Sequence, residues 1–445
     1  MGGYAPNPAP ARAEMLAALG LDSAEALFSD IPDDLRLKRP LNLPPGKSEM
    51  ETLADMREIA GKNTVFRTLF RGAGAYRHYI PAIVRRVAAK EEFVTAYTPY
   101  QPELSQGALQ AIFEYQTMIC ELTGMDAANA SVYDGASAAA EAVSMCVEKG
   151  RGGVLMSAAV HPRVIETVRT YCAPSGTRPA LAPLADGATD PGALESMINA
   201  DTACVYIQHP NFYGRLENVR QIGEMARSRG VRLIVGSNPI ALAALEQPGA
   251  YGADVAVGDG QPLGLSLSFG GPYLGFIACR REFVRRLPGR IVGETVDRRG
   301  GRAFVLTLQT REQHIKREKA SSNICTNQAL CALTAGAYMS AMGYAGMRAA
   351  AELSMSNARY LKDRLSGIDG FEPVFSGPFF HEFVTRCPIP PDRLERLAEK
   401  HGILPGLPLN GDYEGCILWC ATECNDVSEI GGFAELAKEW AKPIT

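Results

Sequence analysis

Between about residue 61 and residue 340, short uninterrupted apolar runs alternate with stretches in which apolar residues recur every three or four positions. GGVLMSAAV, TACVYIQHP, VRLIVGSNP and ADVAVG are of the first kind; PRVIETVRTYC, NVRQIGEMARSRG and IALAALEQPG are of the second. Runs that are apolar at every position predict strands covered on both faces, and helices between them predict crossovers, hence a mainly parallel sheet in an α/β body. Chemistry in such sheets gathers in loops beyond the carboxyl ends of the strands.

On either side the pattern changes. Residues 1–60 have helical spacing in ARAEMLAALGL and SEMETLADMREIAGKN, split by the breaker-rich KRPLNLPPGKS, and predict a helical lead-in that packs on a larger body or on a partner. Residues 341–445 predict a smaller α+β domain. A long helical zone runs into it from Asn327, followed by a hairpin or strand pair in FEPVFSGPFFHEFVTRC, a helix in PDRLERLAEKHG and a strand in GCILWCATE.

Composition narrows the class. The 445 residues are 46% hydrophobic and 21% charged with a formal charge of -4, which suits a globular chain and gives no footprint for nucleic acid or an anionic membrane. The segment MGGYAPNPAPARAEM has no basic and apolar leader pattern, and no apolar run reaches membrane-spanning length, so the expected location is the cytoplasm. Eleven cysteines lie scattered in apolar contexts, as reduced core residues do. Cys416, Cys420 and Cys424 lack C-x2-C spacing, and the six histidines show neither H-x3-H nor H-E-x-x-H, so no metal site is expected. G-x-x-x-x-G-K-[ST], G-x-G-x-x-G and G-x-S-x-G are also missing.

Three stretches could carry chemistry. Tyr97, Thr98, Tyr100, Gln101 and Glu103 lie on a proline-stiffened loop ahead of a helix expected to begin near Ser105; they form either a rigid surface with hydrogen-bonding tips or a packing loop. Asp134 to Ser137 opens a helix on small residues, a shape that can seat a phosphate on free amides. Ser321, Ser322 and Asn323 follow the basic run Arg311, Lys316, Arg317, Lys319, a place to meet an anion or simply a helix start capped by Asn323 or Thr326. His161 and His209 each end an expected strand at the functional edge.

Four long motifs bring in a resemblance. YTPYQPELSQGALQAIFEYQTMICELTGMDAANAS, NPIALAALEQPGAYGADVAVGDGQPLGLSLSFGGPYLGF, LPGRIVGETVD and VLTLQTREQHIKREKASSNICTNQAL are similar to the amino-terminal half of the glycine cleavage system P-protein, which some bacteria make as a separate subunit 1. The resemblance implies a pyridoxal-phosphate fold of type I, a large α/β domain with a smaller α+β C-terminal domain. It also implies a division of labour, because the family's Schiff-base lysine lies in the other half, before the same Gly-Gly-Pro turn. Laid over this chain, the pattern puts Gln261 at the lysine position and Val235 at the position of the aspartate that holds the pyridinium proton. All eleven lysines agree with that absence: none lies between Gly150 and Ile315.

The resemblance therefore implies no catalytic residue in this chain and a pyridoxal phosphate held covalently by a partner, glycine dehydrogenase subunit 2. Together the two decarboxylate glycine, pass the aminomethyl group to the lipoyl arm of H-protein and release carbon dioxide, with two copies of each subunit expected. Tyr97, Thr98, Tyr100, Gln101 and Glu103 are then expected to line the glycine site, and Ser321, Ser322 and Asn323 to meet the cofactor phosphate across the interface. Two alternatives stay open: a purely structural docking subunit, and a self-contained enzyme using Lys316 or Lys319.

Overall fold

The computed structural model describes residues 7–442, which divide into two compact units between Thr64 and Val65. The first holds α1 (Ala9–Ala18) and α2 (Glu49–Ala60). Ser48 starts α2 through a reciprocal capping box with Glu51, which satisfies two otherwise unpaired amides.

The second unit is built on a seven-stranded sheet. Its strands are β1 (Ala127–Ala128), β2 (Gly153–Ser157), β3 (Ala180–Ala182), β4 (Thr202–His209), β5 (Arg232–Ser237), β6 (Val255–Asp259) and β7 (Gly275–Cys279), in the order β1-β7-β6-β5-β4-β2-β3. β3, β2, β4, β5 and β6 are parallel; β7 runs antiparallel between β6 and β1. The strand alternation sorts side chains into two cores. Val205, Ile207, Leu233 and Val235 face α3 (Pro102–Thr123), α6 (Val219–Arg229) and α7 (Ala329–Ser366); Cys204, Tyr206 and Ile234 face α4 (Gly135–Cys146) and α5 (Pro162–Cys172). Both faces are buried, which is why these strands are apolar throughout rather than alternating.

The C-terminal body packs Phe371, Trp419, Phe433 and Leu361 into its own core. Glu382–Arg386 pairs antiparallel with Cys416–Cys420, and the helix α8 (Val427–Trp440), capped by Asp426, closes over them.

Several expectations change. The expected helix in IALAALEQPG is only one turn, Ala241–Ala243, because the Asn238 side chain accepts from the Ile240 and Ala241 amides and locks a local turn. FEPVFSGPFFHEFVTRC, expected to be a hairpin or strand pair, holds one regular strand, Glu382–Arg386, against which 372–374 pairs through the Pro373–Thr385 bridge and the bonds Val374 N to Val384 O at 3.0 Å and Arg386 N to Glu372 O at 2.8 Å. The helix expected near Ser105 begins at Pro102, and Ser105 itself is non-helical. The expected boundary between residues 340 and 341 falls inside α7, three residues before the non-helical Gly343. Thr68 and Leu69, assigned to the large domain from sequence, pair with Ile403 and Leu404 of the C-terminal body, where the neighbouring Phe70 is fully buried.

Candidate active site

A cavity of about 290 Å³ opens at the carboxyl ends of the parallel strands. β4 contributes Tyr206 and Gln208, β5 Gly236 and Ser237, and β6 Gly258 and Asp259, while the C-terminal body supplies His381 and Glu382. A segment from Ala73 to Tyr76 closes one side. This is where the sheet topology places chemistry.

Gln261 stands at the head of the loop after β6, 1% exposed. Its side-chain oxygen accepts from the Tyr76 amide at 2.8 Å; its nitrogen donates to the carbonyls of Tyr76 and Leu265 at 2.9 and 2.8 Å. The carboxamide is thus a rivet between the sheet edge and the 73–76 segment, with donors and acceptors both used.

The helix start at Asp134 is likewise occupied from within. Asp134 accepts from Ser137 N at 2.7 Å, and Asp259 accepts from Gly135 N at 3.0 Å and from Gln261 N at 2.9 Å. Burial pushes the Asp259 carboxyl up to about 6 against those two amide bonds. A side-chain carboxylate sits where an anion seat of this shape would hold a phosphate.

Val235, the residue that the resemblance lays over the family's aspartate, lies on β5. It packs into the core with Leu233, Ala256 and Phe276, while Gly236 and Ser237 of β5 line the cavity. A side chain at Gly236 is excluded, because a Cβ there would lie 2.4 Å from the Tyr206 hydroxyl of the neighbouring strand. No lysine lines the cavity among the described residues. The residues present do not fit a covalently held pyridoxal phosphate.

The two strand-end histidines are structural in form. His161 lines the cavity, but its Nε2 donates to the Ala73 carbonyl at 3.0 Å and its Nδ1 accepts from Arg163 N at 3.1 Å, with burial lowering its pKa. His209 Nδ1 accepts from Glu217 N at 3.1 Å, and burial pulls its pKa to about 4.

Glu382 went unnoticed in the sequence, although a charged residue inside the strand HEFV is a usable signal. It accepts from Ala73 N at 2.6 Å and from the Tyr76 hydroxyl at 2.8 Å, and burial raises it from an ordinary 4.5 to about 7. Across that window the folded chain keeps a proton that the unfolded chain has released, so this group lowers stability as pH rises from about 4.5 to about 7. Thermal unfolding of Glu382→Gln is expected to show a shallower decline over that interval; a slope identical to that of the unsubstituted protein contradicts the assignment.

The other two sequence-chosen sets do not line the central cavity. Tyr97 is 83% exposed and Tyr100 48% exposed. Ser321, Ser322 and Asn323 border a separate depression with Glu141, Tyr171 and Arg317. Burial raises Glu141 to about 7, opposed by a hydrogen bond from Ser322. The tyrosine loop and the serine segment meet each other, however: Thr98 and Thr326 hydroxyls lie 3.4 Å apart, and Arg290 donates both to the Tyr100 hydroxyl at 2.8 Å and to the Cys325 carbonyl at 2.7 Å. Arg290 is a residue that sequence inspection passed over.

Among the described residues no three His, Cys, Asp or Glu side chains are placed to hold a metal ion, and no helix is long and apolar enough to cross a membrane.

The family profile described as Glycine cleavage system P-protein matches residues 3–404. The chain belongs to the glycine cleavage system P-protein family. A solved P-protein, glycine decarboxylase of the glycine cleavage system in inhibitor-bound form, superposes with a TM-score of 0.93 at 42% identity, covering 98% of this chain and 99% of that one. Curated P-protein relatives include chains described as probable glycine dehydrogenase (decarboxylating) subunit 1. The one from Desulfitobacterium hafniense is 46% identical over 433 residues, 96% of this chain and 97% of its own. The one from Carboxydothermus hydrogenoformans is 48% identical over 439 residues, 97% and 98%. A sphingosine-1-phosphate lyase of Burkholderia pseudomallei, 15% identical over 90% of this chain and 92% of its own with a TM-score of 0.66, shares the fold alone. The pyridoxal-phosphate fold of type I is therefore the fold of this P-protein chain.

Proposed function

We propose that this chain is the lysine-less half of a two-chain glycine dehydrogenase (decarboxylating), completing the active site of a subunit 2 that holds pyridoxal phosphate. The complex decarboxylates glycine, releases carbon dioxide and passes the aminomethyl group to the lipoyl arm of H-protein, with two copies of each subunit. The observation that supports the reading is the state of the central cavity: Gln261, which the resemblance lays over the lysine, is hydrogen-bonded through both its oxygen and its nitrogen, and the helix-start amides are occupied by Asp134 and Asp259. A fold kept intact around a site with no nucleophilic amine is suited to serving a neighbour's site.

Tyr97, Thr98, Tyr100, Gln101 and Glu103 line the partner's glycine pocket and keep water out of it; Ser321, Ser322 and Asn323 hydrogen-bond the cofactor phosphate across the interface. Exposure of Tyr97, Ser321 and Asn323 and the junction of the two segments on one surface support these roles. Arg290 turns the Tyr100 hydroxyl into an acceptor, leaving its own proton free to be donated outward.

Glycine–bicarbonate exchange by the complex with H-protein tests the reading. Ser321→Ala and Tyr97→Phe are each expected to lower exchange roughly ten- to hundredfold, the value of a hydrogen bond to a charged group, about 1.5–3 kcal/mol. An intact complex with unchanged exchange in both variants leaves a docking subunit instead.

A further inference from the structure

The tyrosine loop and the 321–326 segment have little regular structure of their own. Between them the chain supplies few local main-chain bonds, such as Tyr100 N to Thr98 O at 2.8 Å; the serine segment is anchored by the buried Ile324 and then by Asn327 and Gln328, which donate to the Ser131 hydroxyl at 2.9 and 3.2 Å. Besides the Thr98–Thr326 hydroxyl contact, these anchors act on each segment separately.

Arg290 reaches both. It lies in LPGRIVG, just before the strand Val292–Val296, and is 4% exposed. Its main-chain carbonyl accepts from Ala130 N at 2.8 Å, which pins it to the end of β1. The guanidinium then spreads: Nη1 donates to the buried Glu312 carboxylate, and Nη2 donates to the Tyr100 hydroxyl and to the Cys325 carbonyl. The same cation lies 4.9 Å from the centre of the Tyr100 ring.

The preceding turn is held by a second arginine, since Arg311 donates to the carbonyls of Leu287 and Gly289. Burial and the nearby Arg290 charge lower the Arg311 pKa to about 10. A planar guanidinium spreads its donors over separate nitrogens, so Nη1 serves the carboxylate while Nη2 serves the phenol and the carbonyl; an ammonium has its three donors on one atom and cannot span them in this way. Glu312 supplies the counter-charge that such a buried cation needs.

We propose that Arg290 is a positioning residue for glycine turnover, joining the tyrosine loop and the 321–326 segment into one rigid surface presented to the partner. The inference rests on those segments forming part of the partner's pocket, and Arg290 itself touches no substrate.

The test uses the full chain reconstituted with its partner and H-protein. Arg290→Met is paired with Glu312→Gln, so that no buried charge is left alone, and Arg290→Lys keeps the charge without the fork. Glycine kcat and KM are measured beside hydrogen–deuterium exchange of peptides spanning 96–101 and 320–327, with complex mass as a control.

With the complex intact, the paired variant is expected to lower kcat/KM roughly ten- to hundredfold, the scale of a misplaced contact. Both peptides should exchange faster, Arg290→Lys should rescue only part of the activity, and Tyr100→Phe should cost less in the paired background than alone. Unchanged exchange in either peptide overturns the positioning role, whatever turnover does. Faster exchange in both peptides with turnover unchanged overturns the pocket reading instead, and the role for Arg290 in the reaction with it.

Discussion

Purified by itself and given pyridoxal phosphate, glycine and H-protein, the chain is expected to release no carbon dioxide and to develop no visible absorbance that borohydride removes. The reaction is all-or-none because its first requirement is an amine at the sheet edge. Lys316 and Lys319 are the nearest candidates in sequence, but both are exposed, lie in short helical turns after the large sheet, and do not line the central cavity. Adding subunit 2 should restore turnover by at least about a thousandfold over the isolated chain, well within the range that catalysis spans. Decarboxylation by the isolated chain, with the coenzyme mapped to Lys316 or Lys319, overturns the division of labour proposed above.

The second large effect concerns stability. Replacing Gln261 by leucine removes the partner of the Tyr76 amide and of the carbonyls of Tyr76 and Leu265 in a site closed to water. An abandoned buried polar group costs about 1–3 kcal/mol, so Gln261→Leu should destabilise the second unit by about 3 kcal/mol or more. Gln221, exposed and bonded only to its helix neighbour Asn218, is the matched control, and its leucine variant should stay within about 0.5 kcal/mol. Denaturant unfolding of both variants decides the matter: equal shifts mean that the Gln261 bonds contribute nothing. A large shift gives the glutamine a structural reason to be there beyond the mere loss of a lysine. The 73–76 segment that it holds also carries the Ala73 amide and Tyr76 hydroxyl on which Glu382 depends.

The sheet could be read from the chain because its strands are buried on both faces. Such strands must be apolar at nearly every position, and helices that cover them must show one apolar stripe, as Ile165, Val168 and Cys172 do on α5. Local side-chain competition defeated the same signal at IALAALEQPG, where Asn238 captures two amides that a helix would have used. Pairing between distant segments lies outside that signal, since Thr68 and Leu69 meet their partners more than three hundred residues later. Nothing in the local pattern of either segment announces that contact.

That no lysine lies between Gly150 and Ile315 is read from composition alone, since folding cannot supply a missing residue type. What replaced it needed three dimensions. Only the fold shows that Gly236 and Ser237 of β5 line the cavity while Val235 packs into the core. Likewise, Asp259 filling the helix-start amides and Arg290 tying Tyr100 to Cys325 join residues 124, 190 and 35 positions apart. Chemistry that depends on which atoms are missing is written in the sequence, whereas chemistry that depends on which atoms meet is decided by the tertiary structure, since hydrogen bonds and ion pairs act over a few ångströms irrespective of separation along the chain.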